Sequence, residues 1–573
     1  VDRIWLKQYP TGLPADIDPR EYSSIAEMFV RACTEYRQLP AFTNMGTDLS
    51  YAQLLELSRA FAAWLQVRSG LARGDRVAVM LPNVLQYPVA MFGVLRAGMI
   101  VVNTNPLYTA RELEHQLKDS GAKVIVILEQ FAHVLAQILP RTDVKHVLVT
   151  GVGDLLNFPR GALVNFVLRR VRKQIPPWDI PEAQTFKSAL ADGLGLELEP
   201  VPATLDDVAF LQYTGGTTGI SKGAVLSNGN LVANLLQAAA WLSPALRDGS
   251  LASAGQRIVI TALPLYHIFS LTANCLMFIH LGARNILITN PRDFRSFVAE
   301  LKKYRFFFIS GVNTLFNALL NTPGFDSVDF SALRVTLGGG MAVQGAVAAR
   351  WKAVTGCILT QAWGLTETSP AACVNPLTAD FNGSIGLPIP STYVCVISDD
   401  GKELPVGEVG EICVFGPQVT RGYWNRPDET EKVFLNGWLK TGDIGRFDAE
   451  GFVYIEDRKK DMILVSGFNV YPNEVEGVAA EHAGVLEAAA VAEDDEASGE
   501  VVALFVVKKD AELTAEALLA HLRRGLTAYK VPKHIYFRTE LPKTNVGKIL
   551  RRELRDELRA AHQAASSQAT LTA

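Results

Sequence analysis

The strongest constraint on the fold is an alternation. Short β-branched runs are separated by stretches with helical spacing. Val77–Met80 reads as a strand, Gln86–Ala97 as a helix and Ile100–Val102 as the next strand. Arg111–Asp119 is again helical and Lys123–Leu128 (KVIVIL) again a strand. Strands that alternate with helices form parallel sheets with helices on their faces. The pattern recurs at Phe306–Ile309, Arg334–Leu337 and Cys357–Thr360. From Tyr393 the texture changes. Asp399-Asp400-Gly401, Pro405-Val406-Gly407 and Asp448-Ala449-Glu450-Gly451 are hairpin turns between short strands, which predicts a smaller antiparallel region. The cluster Asp457-Arg458-Lys459-Lys460-Asp461 reads as a boundary, and a compact α+β stretch follows it.

At 573 residues the chain is too long for one core. A net charge of −4 argues against a dedicated nucleic-acid binder. Cys33, Cys275, Cys357, Cys373, Cys395 and Cys413 are too scattered for a disulfide framework, and neither CxxC nor HExxH occurs. A reducing, cytoplasmic setting fits, and Val1–Lys7 lacks the apolar core of a signal peptide. Ile258–Ala283 carries no formal charge, yet Pro264, His267, Asn274 and His280 favour a buried strand–loop–helix over a membrane span. In Leu163–Lys173 (LVNFVLRRVRK) apolar and basic residues segregate at helical spacing. Two readings stand there: a solvated amphipathic helix, or a peripheral contact with an anionic membrane surface.

The segment richest in chemistry is Tyr213-Thr214-Gly215-Gly216-Thr217-Thr218-Gly219-Ile220-Ser221-Lys222-Gly223, which follows the apolar run Val208–Leu211. Glycines permit close backbone approach, hydroxyls donate hydrogen bonds, and a lysine supplies a cation; a polyphosphate needs these groups. The spacing is not that of a Walker A loop. Gly219–Gly223 also matches GxSxG, the nucleophile elbow of α/β-hydrolases. That elbow requires a helix after the serine, whereas Ala224-Val225-Leu226 reads as a strand. Further segments are Gly338-Gly339-Gly340, Trp363-Gly364-Leu365-Thr366-Glu367-Thr368, Thr441-Gly442-Asp443, Ser466-Gly467-Phe468-Asn469 and Pro542–Lys548. Each alone is also compatible with an ordinary turn, a helix start or a solvated charge.

Taken in order, these segments resemble the adenylate-forming superfamily of acyl-CoA synthetases, firefly luciferase and peptide-synthetase adenylation domains. Within it the chain is most similar to the bacterial long-chain fatty acyl-CoA synthetases. The resemblance implies an α/β fold: a large N-terminal domain (1–457) of parallel and mixed sheets plus a small antiparallel region, a hinge at 458–460 containing Lys460, and a small mobile α+β domain (461–573). It implies a ligase that joins a medium- or long-chain fatty acid to AMP and then to CoA, with ATP and CoA as co-substrates and Mg²⁺ as cofactor. By the same resemblance Thr214, Gly215, Gly216, Thr217, Thr218, Gly219 and Lys222 hold phosphate, and Thr366 contacts the α-phosphate. Glu367 holds Mg²⁺, and Gly339, Gly340, Trp363 and Gly364 lie on the adenine side. Trp363 stands where the family often has Tyr. Asp443 and Arg458 contact ribose or phosphate, and Lys548 is the adenylation lysine. His267, Gly311 and Gly467 line the acyl and CoA passage. Some relatives carry a Trp gate four residues after the histidine, where this chain has Leu271. The expected partners are fatty acid, ATP and CoA, with no nucleic acid. A homodimer and peripheral contact with the inner membrane surface stay open.

Overall fold

The computed structural model describes residues 2–214, 221–247, 255–466, 468–495 and 498–571, without side chains for 562–571. Among the described residues the N-terminal part contains two large sheets. One has seven strands in the order Gln184–Thr185, His146–Thr150, Val124–Leu128, Arg76–Met80, Ile100–Asn103, Val208–Thr214 and Lys222–Ser227. All neighbours are parallel except the last pair. The other has nine strands. Its parallel centre runs Leu359–Gly364, Val335–Gly338, Phe308–Gly311, Ile258–Thr261, Arg284–Leu287 and Pro40–Asn44, with antiparallel pairs at both ends.

The central strands are buried on both faces, which is why they read as unbroken apolar runs. One core joins the two sheets: Phe42 of the second packs in the same cluster as Val77 and Phe210 of the first. The helix Gln86–Arg96 lies between them and is almost wholly buried. Local signals set the helix ends. Thr109 and Glu112 form a capping box before Ala110–Ser120, and Gly121 closes that helix in the left-handed region. Ser227 and Asn230 form another at the start of Asn228–Leu246.

The antiparallel region is a sheet of Tyr393–Ile397, Gly410–Phe415, Trp438–Phe447, Phe434–Leu435 and Val453–Arg458. The charge cluster follows its last strand. Beyond it, a separate sheet of Phe468–Val470, Ile463–Val465, Gly499–Lys508, Val485–Asp495 and His534–Arg538 packs with the helices Pro472–Ala480, Ala515–Gly525 and Arg551–Leu571. This is the α/β architecture that the alternation implied.

Ile258–Ala283 is the strand Ile258–Thr261, a loop, and short helical turns from Ile268 to His280. No helix among the described residues is long and apolar enough to cross a membrane. All six cysteines are free and buried. Lys222–Ser227 is a strand that directly follows Ser221, and the Ser221 hydroxyl donates to the Thr214 carbonyl. The strand–serine–helix elbow of a hydrolase is therefore not formed.

Candidate active site

Parallel strands in α/β proteins present ligands at their carboxyl ends. Here strands of both large sheets end at one cavity of about 760 Å³. Asn103, Thr214, Gly339 and Gly364 reach its wall from four different strand ends. Buried amides hold the intervening loop: Asn83 donates to the carbonyls of Thr261 and Leu263, and its own oxygen accepts from Leu265 N–H. Gln212 donates to the Tyr266 carbonyl at 2.7 Å. These bonds fix the segment that carries His267.

The cavity wall carries two kinds of group. Lys222, Thr366, Glu367, Arg458 and Lys548 supply charge and hydroxyl groups. Leu242, Met277, Phe308, Leu337 and Leu377 form an apolar cluster on the wall, and Trp241 adds to the apolar lining. The backbone at Gly364 leaves no room for a side chain, because a Cβ there would lie 1.8 Å from the Pro370 carbonyl oxygen. Gly340 has φ +77°, and the stem of Lys548 passes close over it.

Several of these charged groups have partners. The Tyr423 hydroxyl donates to Glu367 Oε1 at 2.6 Å, while Thr420 N–H donates to the Glu367 carbonyl. Burial, together with Glu367, pushes the Tyr423 hydroxyl well above its ordinary pKa, so it stays a donor. Lys222 pairs with Glu429. That contact and Lys432 hold the Glu429 carboxyl well below the usual range. Asp443 is buried, accepts from Trp363 Nε1 at 2.9 Å and forms an ion pair with Arg458, Nε to Oδ1, at 3.1 Å. His267 Nδ1 accepts from Phe269 N–H, which leaves Nε2 as the ring's N–H. Burial, helped by Lys548, pushes His267 down to about 3, so the ring is neutral.

Lys548 belongs to the last domain. Its loop is tied to the first by Thr314 Oγ1, which donates to the Gly547 carbonyl at 2.9 Å, and Asn317 donates to the Leu486 carbonyl nearby. Burial first, then Arg458 and Lys460, lower the Lys548 ammonium to about 8. Three residues on, Arg551 pairs with Glu476 at 2.7 Å and approaches Asp457 and Asp461 at 3.7 Å. This network spans the junction between the domains. Burial raises the Asp457 carboxyl to about 6, against the pull of Arg551.

Of the residues singled out in the sequence, Thr214, Lys222, His267, Gly339, Gly340, Trp363, Gly364, Thr366, Glu367, Arg458 and Lys548 meet at this cavity. Asp443 joins through Trp363 and Arg458. Lys460 is exposed beyond the strand end at Arg458. Gly311 is not among the lining residues; a Cβ there would meet the Phe316 ring at 2.8 Å, so its role is packing. Gly215, Gly216, Thr217, Thr218, Gly219 and Gly467 lie outside the described residues. Sequence reasoning passed over the segment Arg421–Thr430, a turn running into the helix Pro427–Val433, which supplies Tyr423 and Glu429 and places Arg426 on Asp119 at 2.6 Å. Its Gly-Tyr-Trp-Asn-Arg-Pro run was a readable turn signal.

Strand ends of both sheets converge on one cleft, and a lysine from the C-terminal part of the chain reaches it, an arrangement that fits an adenylate-forming enzyme. The chain belongs to the AMP-binding enzyme family. The family model described as "AMP-binding enzyme" matches residues 29–424, and "AMP-binding enzyme C-terminal domain" matches 474–548. The chain is 55% identical over 560 residues to the long-chain-fatty-acid–CoA ligase of Salmonella typhimurium, covering 98% of this chain and 99% of that protein. The Bacillus subtilis protein of the same name is 39% identical, covering 96% and 98%. Among solved structures, ATP-bound MatB from Rhodopseudomonas palustris superposes with a TM-score of 0.77 at 28% identity, covering 93% and 98%. The anthranilate CoA ligase AuaEII with anthranoyl-AMP shares the fold at a TM-score of 0.83 and 23% identity, covering 96% and 100%.

Proposed function

We propose that this chain is an ATP-dependent long-chain fatty acid–CoA ligase that works in two steps. The observation that carries the reading is the presence, on one cavity wall, of cationic and hydroxyl groups together with an apolar cluster that includes Leu242, Met277 and Phe308. An aliphatic acid lies with its chain on the apolar cluster and its carboxylate toward the charged groups. The Salmonella typhimurium and Bacillus subtilis relatives bear that activity in their names.

In the first step a carboxylate oxygen bonds to the α-phosphorus of ATP and the bond to the bridging oxygen breaks, releasing pyrophosphate. This chain's contribution is positioning and charge. Lys222 leaves Glu429 for the terminal phosphates, Thr366 donates to an α-phosphate oxygen, and Lys548 neutralises charge between carboxylate and phosphate. Trp363 and Asp443 hold the nucleoside. In the second step the CoA thiolate attacks the acyl carbon and AMP leaves.

Magnesium fits as a passenger on the nucleotide. Among the described residues there is no cluster of three or more metal-ligating side chains. Glu367 is one oriented carboxylate on the cavity wall, and Mg²⁺ is commonly held by one or two carboxylates plus substrate phosphates. When bound it neutralises phosphate charge.

The second step needs Lys548 withdrawn and CoA admitted, which assigns residues 458–460 as a hinge between domains 1–457 and 461–573. A Lys460→Pro substitution is expected to spare adenylation and block thioester formation; equal retention of both half-reactions rejects the hinge. The overall reading is tested by pyrophosphate release with palmitate, octanoate, ATP, Mg²⁺ and CoA. Failure to form AMP from any aliphatic acid overturns it.

A further inference from the structure

Two of the six cysteines lie in the small antiparallel sheet, and its ladder sets them face to face. Tyr393–Ile397 and Gly410–Phe415 run antiparallel, with Cys395 directly opposite Cys413. Side chains along a strand alternate between the two faces of the sheet. Val394, Val396, Ile412 and Val414 point into the core that holds Trp363 and Phe447. Cys395 and Cys413 therefore share the other face, in a small cluster with Ile397 that Leu435 and Trp438 partly cover. Directly opposed residues of an antiparallel pair have Cα atoms about 4.5–5.5 Å apart. A disulfide spans about 4.4–6.8 Å, so no backbone rearrangement is needed to join these two.

The two thiols also differ in chemistry. Cys413 donates its S–H to Cys395, which holds the Cys395 thiol below its ordinary range. The same contact, with burial, raises Cys413. Cys395 is thus the better nucleophile, and its neighbour stands where a resolving thiol must stand. Cys395 is 7% exposed and Cys413 1%, so the nucleophile is also the sulfur nearer to solvent. Cys275 and Cys373 are wholly buried, and burial raises both of those thiols.

The strand that carries Cys413 lies under the candidate nucleotide turn. On its other edge Cys413 pairs with Lys440 of Trp438–Phe447. The Thr441 hydroxyl donates to the Ile412 carbonyl at 2.7 Å, and Gly442 N–H donates to Glu411 Oε1 at 3.1 Å. Asp443 N–H in turn donates to Thr441 Oγ1. The turn Thr441–Asp443 is therefore seated on Glu411 and Ile412, next to Cys413, and Thr441 lines the cavity. A disulfide closes two sulfurs to about 2.05 Å, nearer than a hydrogen bond brings them. Closure draws Cys413 toward Tyr393–Ile397 and away from the turn on its other edge.

We propose that Cys395 and Cys413 form a reversible thiol–disulfide site oxidised by peroxide, and that its closure weakens nucleotide binding through the turn Thr441–Asp443. The first half stands apart from the ligase reading; the second rests on it. The Cys395 thiolate attacks one oxygen of hydrogen peroxide and the O–O bond breaks. A sulfenic acid remains on Cys395, and the released hydroxide takes the proton that Cys395 gave up. The Cys413 sulfur then attacks the Cys395 sulfur, the S–O bond breaks, and the Cys413 proton leaves with the hydroxide as a second water. Two thiols lose two electrons and one peroxide gains them. The test treats the full chain with hydrogen peroxide, alkylates it and maps its tryptic peptides by mass spectrometry; Lys402 lies between the two cysteines, so cleavage separates them. A disulfide joining the two peptides is expected, and dithiothreitol should reverse it. Cys413→Ser should instead hold a sulfenic acid on Cys395 that dimedone traps. The ATP dissociation constant, read by equilibrium binding, should rise about three- to tenfold on oxidation, as weakening of one ordinary hydrogen bond does, and return on reduction. Cys395→Ser should keep the affinity of the reduced wild type after peroxide. Wild-type peptides without the cross-link, or a disulfide that joins other cysteines, overturn the site. A mapped disulfide with unchanged ATP affinity overturns the coupling. A reduced chain that binds no ATP overturns the ligase reading and the coupling together, while the peptide map still decides the thiol pair.

Discussion

Replacing Lys548 by alanine removes one cation from the charged groups of the cavity wall. Two unit charges 4 Å apart interact by about 4 kcal/mol at the effective dielectric of a protein surface. Loss of one preorganised charge partner costs on the order of 10²–10³ in rate. Lys548→Ala is therefore expected to slow acyl-AMP formation by about two to three powers of ten, read as pyrophosphate release in single turnover. Thioester formation from preformed acyl-AMP should stay within about threefold of wild type, because the lysine acts only before the adenylate exists. The same side chain sets a pH dependence. Burial lowers its ammonium to about 8, so the charge is present below that pH and is lost as pH rises through it. Adenylation kcat/KM should fall on the alkaline side with an apparent pKa near 8. Lys548→Arg should remove that alkaline limb, since a guanidinium keeps its charge. Bound phosphates favour the ammonium, so the limb should shift upward in kcat. An equal loss in both half-reactions, or an unchanged limb in the arginine variant, would refute the assigned role.

Tyr423→Phe leaves Glu367 without its 2.6 Å hydrogen bond. Hydrogen bonds to charged groups contribute about 1.5–3 kcal/mol, so the magnesium concentration for half-maximal adenylation should rise about tenfold or more. An unaltered magnesium titration would show that the tyrosine does not orient the carboxylate. Gly364→Ala would place a Cβ 1.8 Å from the Pro370 oxygen, against backbone that cannot yield. A loss of about 3 kcal/mol or more is expected in chemical denaturation; wild-type stability would mean that the strand end relaxes.

Legibility followed the range of the interactions. Val124–Leu128 was readable because a strand buried on both faces is an apolar run. Elsewhere the strand existed but its ends moved. Phe306–Ile309 was expected and Phe308–Gly311 formed; Cys357–Thr360 was expected and Leu359–Gly364 formed. In the latter, Gly356 ends the preceding helix in the left-handed region, and the chain needs Cys357 and Ile358 to turn into the sheet. The candidate phosphate and lysine loops were readable as candidates because glycines, hydroxyls and a cation stand close together in the sequence. The partners that hold those groups were not. Tyr423 is 56 residues from Glu367 and Glu429 is 207 from Lys222, distances at which local periodicity carries no information.

By itself, the order of residues determined the α/β alternation and the change to hairpin texture from Tyr393, because backbone propensity and local hydrogen bonding act over a few residues. Only tertiary structure decided that strands of both sheets end at one cavity, that Trp363 and Arg458 share the two oxygens of Asp443, and that Lys548 crosses from the second domain to lie beside Glu367. Those contacts depend on packing between separate segments of the chain, Trp363 and Asp443 being 80 residues apart, and their energies exist only once the core between the sheets has closed.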